Sequence, residues 1–225
     1  MITLLVDVVS NNSIIALITD NKPKTIEKIN LDSKQLHSEN VVPALESIID
    51  KSTFSYLDIK KVVCVIGPGN YTNIRTGLAV AKSISLVNNI DAYGITQHEL
   101  IAQTYRSSAI SSTLAIITHS TNNNFYYKEF NATVPDRNDP ILLHADEVLN
   151  KIDKRKINII ETGNEFLSYL IKNNFSVKNL TSNYIIPDTN LGKICELNSN
   201  IANNIEAKYI KTPNFVKYKK KDIYG

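Results

Sequence analysis

The sequence predicts an α/β fold built on a mixed β-sheet with flanking helices. Two observations carry this. Three β-branched runs joined by short turns open the chain. Short apolar runs then alternate with stretches of helical periodicity up to about residue 100. ITLLVDVV (2–9) and SIIALITD (13–20) flank the turn signal Ser10-Asn11-Asn12, so they form an antiparallel hairpin. KTIEKIN (24–30) follows Asn21-Lys22-Pro23 and alternates with period two, as an edge strand does. From Ser38 to Ile49 the apolar residues Val41, Val42, Leu45, Ile48 and Ile49 recur at helical spacing. KKVVCVIG (60–67) reads as a parallel strand buried on both faces. A helix from about Tyr71 to Val87, a strand DAYGIT (91–96) and a helix from His98 follow.

The second half is less regular. TLAIITHS (113–120) and FYYKEFNA (125–132) flank Thr121-Asn122-Asn123-Asn124 as a further hairpin, and VPDRNDP (134–140) reads as a loop. HADEVLNKI (144–152) is a predicted helix, KINIIETGN (156–164) a strand ending at a glycine, and helices are expected around 165–173 and 189–207. A soft boundary falls near 98–112.

With 43% apolar residues among 225, the chain can bury a sizeable core. A net charge of +3 neither demands nor excludes a nucleic-acid partner. Cys64 and Cys195 make no disulfide framework, no stretch reaches membrane-spanning length, and the first residues lack the pattern of a secretory signal. A soluble cytoplasmic protein is expected. The frequent Asn, Lys and Ile read as a compositional bias, which leaves individual Asn residues with little meaning.

The stretch GPGNYTNIRTG (67–77) raises the question of phosphate binding. It lacks the Gly-Lys-Ser/Thr of a P-loop, and Thr72 stands where a dinucleotide fingerprint needs glycine. Helix-start amides can still hold an anion, but a tight strand-to-helix turn explains the residues more simply. Gly67 and Gly69 would supply unusual φ values, Pro68 a fixed dihedral, and Asn70 or Thr72 a helix cap. Gly77, Ala79, Ala81, Ser83 and Ser85 keep the following helix thin, so a sheet or another helix can come close. Asp7, at the end of an apolar strand, reads as a turn cap or as a weak phosphate-site candidate. Ser38 reads as a helix cap with Glu39 on the helix dipole. His37, Ser38 and Glu39 are consecutive and do not converge as a triad does. His37, His98, His119 and His144 are too scattered to suggest a metal site.

Three segments in the same order give a resemblance. HSENVVPALESII (37–49) is similar to the HSE…P pattern of the bacterial TsaB (YeaZ) family, through His37, Ser38, Glu39 and Pro43. GPGNYTNIRTGLAVAKSIS resembles that family's glycine-rich stretch, through Gly67, Pro68, Gly69, Thr72 and Arg75. The opening hairpin and the closing TPNFVKYKKKDIYG are similar as well. Two departures stand out: Val8-Val9 replace the Thr-Ser that follows the first aspartate, and Asn73 replaces the loop's second glycine, a place where asparagine tolerates left-handed φ.

The resemblance implies an actin/Hsp70-like (ASKHA) fold of two subdomains, 1–100 and a degenerate 101–225 with a basic tail. It also implies a non-catalytic subunit for threonylcarbamoyladenosine formation in tRNA, with a TsaD-like paralogue as partner and a TsaE-like ATPase in the larger complex. ATP and a metal then belong to the partner subunits, tRNA is met indirectly, and no cofactor is expected on this chain. The partner surface is expected on helices 38–50 and 71–87, at Val41, Val42, Leu45, Ile74, Gly77, Leu78 and Ala81, and the same patch would close a homodimer in the chain alone. Lys217, Lys219, Lys220 and Lys221 are candidate tRNA contacts. The alternative is an ATP-dependent phosphotransferase of the same fold class, which calls for Thr or Ser after Asp7 and a second phosphate loop, for which Thr162-Gly163-Asn164 is a weak candidate. A metalloprotease reading lacks its histidine pair.

Overall fold

The computed structural model describes residues 1–19, 24–31, 37–105, 113–131, 138–152, 157–196 and 205–210. Its first sheet joins β1 (Ile2–Asp7), β2 (Ile14–Thr19), β3 (Lys24–Asn30), β4 (Ile59–Val65) and β5 (Ala92–Ile95) in the order β3-β2-β1-β4-β5. The hairpin strands pair antiparallel, whereas β4 and β5 run parallel to β1. Helix α1 (His37–Lys51) leads into β4, α2 (Tyr71–Asn88) joins β4 to β5, and α3 (Gln97–Tyr105) leaves the sheet.

The second sheet contains β6 (Leu114–Thr121), β7 (Asn124–Phe130), β8 (Ile141–His144), β9 (Asn158–Glu161) and β10 (Leu180–Thr181), in the order β8-β7-β6-β9-β10. Helices α4 (Ala145–Ile152) and α5 (Glu165–Lys172) accompany it. Strand for strand, this repeats the first sheet: an antiparallel three-strand meander followed by two parallel strands. The duplication is that of the actin/Hsp70-like fold. The second copy is the reduced one, with four-residue β8 and β9, a two-residue β10 and eight-residue helices.

Alternation along the strands decides which face each residue covers. Leu4, Val6, Val62 and Cys64 meet α1 and α2, while Leu5, Val63 and Val65 face the other way. α3 lies between the sheets, sending Leu100 to the first core and Ile101 and Ala102 to the second. The opposite face of the second sheet buries Ala115, Ile117 and Phe125 beneath α4 and α5.

The helix expected over 189–207 is shorter: α6 (Asp188–Leu191) passes into a 3-10 turn over Gly192–Glu196, and 205–210 is irregular. This segment returns to the first sheet. Leu191 and Ile194 pack against Leu5 and Val63, and Ile205 joins the core under α1 and α2. The last part of the expected 101–225 unit is therefore bound to the first sheet. Lys61, inside the apolar run of β4, stays buried because its ammonium donates to the Cys195 carbonyl at 3.0 Å. Among the described residues, every non-glycine residue with positive φ is an asparagine: Asn89, Asn122, Asn174, Asn179 and Asn183. These asparagines are structural, because their short polar side chains tolerate the left-handed region that most residues avoid.

Candidate functional site

The glycine-rich turn begins where β4 ends. Gly67 has φ +127, where a side chain is strained, and a Cβ there would lie 2.5 Å from the Lys208 carbonyl oxygen. Lys208 crosses the turn from the chain's last described segment, donating its amide to the Ile66 carbonyl at 2.8 Å. Gly69, contrary to expectation, has no positive φ. It is glycine because Val9 comes close: a Cβ would sit 2.4 Å from Val9 Cγ1. Gly77, one helical surface further on, makes the same allowance for Val8, with 2.9 Å from an added Cβ to Val8 Cγ2. The two valines that replace hydroxyl-bearing residues after Asp7 are thus packed into the glycine-rich turn and the helix behind it.

The polar groups of this region are spent locally. Asp7 is 1% exposed, and its Oδ1 accepts the amides of Val9 and Ser10 at 3.0 Å each, the turn-capping role. Asn70 is the N-cap of α2, accepting from the amides of Thr72 and Asn73 at 2.9 and 3.2 Å. Thr72 is therefore not the cap. Asn73 lies inside α2 and outside the set of positive-φ residues, so the left-handed turn expected there is absent. Arg75 lays its guanidinium 3.9 Å from the Tyr71 ring centroid, and Tyr71 stacks on Tyr209 at 4.8 Å. Pro68 is buried and follows a cis peptide bond.

The paired helices turn their thin face inward. Ile74, Gly77, Leu78 and Ala81 of α2 and Val41 and Leu45 of α1 are buried against β1 and β4. Six of the seven expected partner residues therefore belong to this chain's own core, because the side chains of Val6, Val8 and Cys64 rise to meet a helix with no bulk there. Val42 is the exception, at 49% exposed. What faces outward on α2 is Thr72, Arg75, Ala79, Lys82, Ser83 and Leu86; on α1 it is Glu39, Val42, Pro43, Glu46 and Asp50. Leu86 is 83% and Val87 74% exposed, beside the 66%-exposed Leu57 of the 3-10 turn Tyr56–Asp58. α1 starts at His37, so Ser38 sits in its first turn and not at its cap.

The remaining candidates do not gather into a reactive centre. His98 is fully buried, its Nε2 lies 3.2 Å from the Tyr126 carbonyl, and burial pulls its pKa down to about 4. A neutral imidazole donating from Nε2 satisfies that geometry and leaves Nδ1 unpartnered. His119 packs at a tilt against Phe125, with ring centroids 5.5 Å apart, and His144 pairs with Asp146, each on the second lobe. Glu161 accepts the amides of Phe166 and Leu167 at the start of α5, and burial lifts its carboxyl to about 7 in spite of them. Among the described residues, no group of three His, Cys, Asp or Glu could hold a metal, and no helix is long and apolar enough to cross a membrane. The tail lysines Lys217, Lys219, Lys220 and Lys221 lie outside the described residues.

A family model described as TsaD, tRNA N6-adenosine threonylcarbamoyltransferase, matches residues 29–222. The chain belongs to this family. Its curated relatives include proteins named tRNA threonylcarbamoyladenosine biosynthesis protein TsaB. The one from Buchnera aphidicola subsp. Baizongia pistaciae is 28% identical over 183 residues, which is 76% of this chain and 81% of the relative. The one from Buchnera aphidicola subsp. Schizaphis graminum is 28% identical over 82 residues, 36% of this chain and 39% of the relative. The one from Bacillus subtilis is 30% identical over 69 residues, 31% of this chain and 30% of the relative. The latter two matches therefore span well under half of those relatives' lengths. Among solved structures, YeaZ from Pseudomonas aeruginosa shares the fold, with a TM-score of 0.66 at 13% identity over 87% of this chain and 92% of that one. These relatives place the chain in the TsaB (YeaZ) group.

Proposed function

We propose that this chain is a non-catalytic cytoplasmic subunit for the formation of N6-threonylcarbamoyladenosine beside the anticodon of tRNA. It pairs with a TsaD-like paralogue, which carries the catalytic groups, in a complex that also recruits a TsaE-like ATPase and meets tRNA indirectly. Membership of the TsaD family and the TsaB names of its relatives support the pathway. The observation that carries the subunit role is the closure of the glycine-rich turn on itself. Val8 and Val9 fill the approach to Gly77 and Gly69, Lys208 covers Gly67, and the Asn70 side chain holds the first free amides of α2. A turn packed this way fixes a helix in place.

The pairing surface is the outward face of α1 and α2. Exposed Val42, Leu86 and Val87 are its apolar anchors. The α1 side carries Glu39, Glu46 and Asp50, and the α2 side carries Arg75 and Lys82. A two-fold arrangement that sets α1 of one molecule across α2 of another matches these charges. The same face therefore closes a homodimer when the paralogue is absent. The test is reconstitution with the TsaD-like protein of the same organism. Co-elution, and modification that stops when this chain is omitted, are expected. Failure to co-elute would remove the pairing, and steady-state ATP turnover by the isolated chain, abolished by Asp7→Ala, would restore the phosphotransferase alternative.

A further inference from the structure

The outward stripe of α2 begins with a side chain that is held in place before any partner arrives. Arg75 is the one arginine among the described residues, and it is exposed. Its guanidinium lies 3.9 Å from the ring centroid of Tyr71, one turn back on the same helix. Its Nε donates to the Tyr209 hydroxyl at 3.3 Å, and Tyr209 stacks on Tyr71 with ring centroids 4.8 Å apart. Tyr209 can do this because the segment carrying it is itself anchored. Ile205 is buried in the core beneath α1 and α2, and the Lys208 amide donates to the Ile66 carbonyl at 2.8 Å. The Lys208 ammonium pairs with Asp139 of the second lobe at 2.5 Å. Residues 205–210 thus form a strap over the glycine-rich turn whose end reaches the outward side of α2.

This arrangement engages Nε and leaves the two terminal guanidinium nitrogens without a hydrogen-bond or ion-pair partner among the described residues. Those two nitrogens are the fork that takes a carboxylate or a phosphate bidentately. A fork already fixed by two rings loses less freedom on binding than an ordinary exposed arginine does. The surroundings choose between the two anions. The neighbouring helix α1 exposes Glu39, Glu46 and Asp50 on the same side of the molecule, together with the apolar Val42. A nucleic acid lying on Arg75 would meet those carboxylates. A second copy related by a two-fold axis brings its own α1 carboxylates to Arg75 and its own Arg75 to this α1, so the contact is made twice.

We propose that Arg75, held by Tyr71 and Tyr209, is the polar anchor through which this chain associates with a second copy of itself, its fork closing on an α1 carboxylate of that copy. Tyr209 is a positioning residue: it acts through Arg75, and the strap that carries it is therefore part of the pairing surface. The proposal rests on the reading that the outward face of α1 and α2 pairs with another molecule.

Sedimentation equilibrium of the full chain at several salt concentrations is the test, with tRNA binding by the isolated chain measured alongside. The wild-type chain should dimerise, more weakly as salt rises. Arg75→Lys keeps the charge and loses the planar fork, so it should weaken the dimer about tenfold, and Arg75→Glu should leave only monomer. Tyr209→Phe keeps the ring on Tyr71 and removes only the acceptor for Nε. It should weaken the dimer several-fold with an unchanged thermal melt, whereas a merely structural Tyr209 would lower the melt and leave the affinity alone. Added to Arg75→Glu, one of Glu39→Lys, Glu46→Lys and Asp50→Lys should restore the dimer. A wild-type chain that stays monomeric up to its solubility would overturn the proposal without touching pairing with the paralogue. A dimer that Val42→Glu and Leu86→Glu dissolve but Arg75→Glu does not would keep the face and overturn the anchor. Failure of all three charge reversals, or tRNA binding that depends on Arg75, would overturn it equally.

Discussion

Replacing Gly77 with alanine adds a methyl group 2.9 Å from Val8 Cγ2 and 3.6 Å from Cys64 Sγ. Two effects of opposite sign follow. An interior helical Gly→Ala change favours the helix by about 1 kcal/mol. Forcing a methyl into a packed core costs about 1–3 kcal/mol, and valine, stiff at χ1, cannot swing away. The single variant should therefore range from near neutral to about 2 kcal/mol less stable. Val8→Ala removes two methyl groups from a site with 0% exposure, which costs about 1.6 kcal/mol of transfer energy plus a cavity. In the double variant, the new methyl of residue 77 occupies part of that cavity and regains its helix propensity. The pair should thus be more stable than the sum of the singles by about 1 kcal/mol or more. Urea unfolding of the four proteins, followed by circular dichroism, measures this directly. If Gly77→Ala alone stabilises by the full helix-propensity gain and the two changes add within about 0.5 kcal/mol, α2 does not sit on Val8 and the inward-facing account is wrong.

Asn70→Ala removes the side-chain acceptor for two α2 amides and should cost about 1 kcal/mol in the same unfolding assay; no loss would show that the cap is not made in solution. Ala81→Arg drives a charge into the core beneath α2, so circular dichroism should report unfolding before any partner is added; a folded variant would contradict the burial of that face. Glu161 has a folded pKa near 7 against an ordinary 4.5, so its contribution to stability is full below about 4.5 and lost as pH rises through 7. Wild-type stability relative to Glu161→Gln should therefore fall between pH 5 and pH 8 in thermal melts, and a pH-independent difference would refute the buried-carboxyl assignment.

The strand layout was legible because each β-strand is a compact apolar run bounded by turn residues, and the hairpin of β6 and β7 repeats the device that opens the chain. Burial of β4 on both faces followed from its continuous hydrophobicity. The facing of α2 was not legible. Glycine and alanine at four-residue spacing show that something approaches closely, but only the folded contacts of Gly77 with Val6 of β1, Cys64 of β4 and Val8 just past β1 show that the approaching body is the chain's own sheet. The return of residues 188–210 to the first lobe depends on contacts far apart in sequence, such as Leu191 with Leu5. Lys61 gave a missed signal, since a lysine within an apolar strand needs a distant acceptor, here the Cys195 carbonyl. The asparagines were discounted as compositional, yet five of them hold left-handed turns. The Arg75 stack stayed hidden because Tyr209 reaches Tyr71 and Arg75 from a distant part of the chain, and no local pattern joins them.

The pairing claim meets its most direct test in the affinity of the full chain for the TsaD-like protein when the outward face alone is changed. Val42→Glu and Leu86→Glu alter side chains that are 49% and 83% exposed, so the fold should be untouched by circular dichroism. A central apolar anchor is worth about 2 kcal/mol or more, so each change should weaken association by at least tenfold, and the double variant should no longer co-elute. A folded double variant that binds the partner with wild-type affinity would place the interface elsewhere and contradict the account.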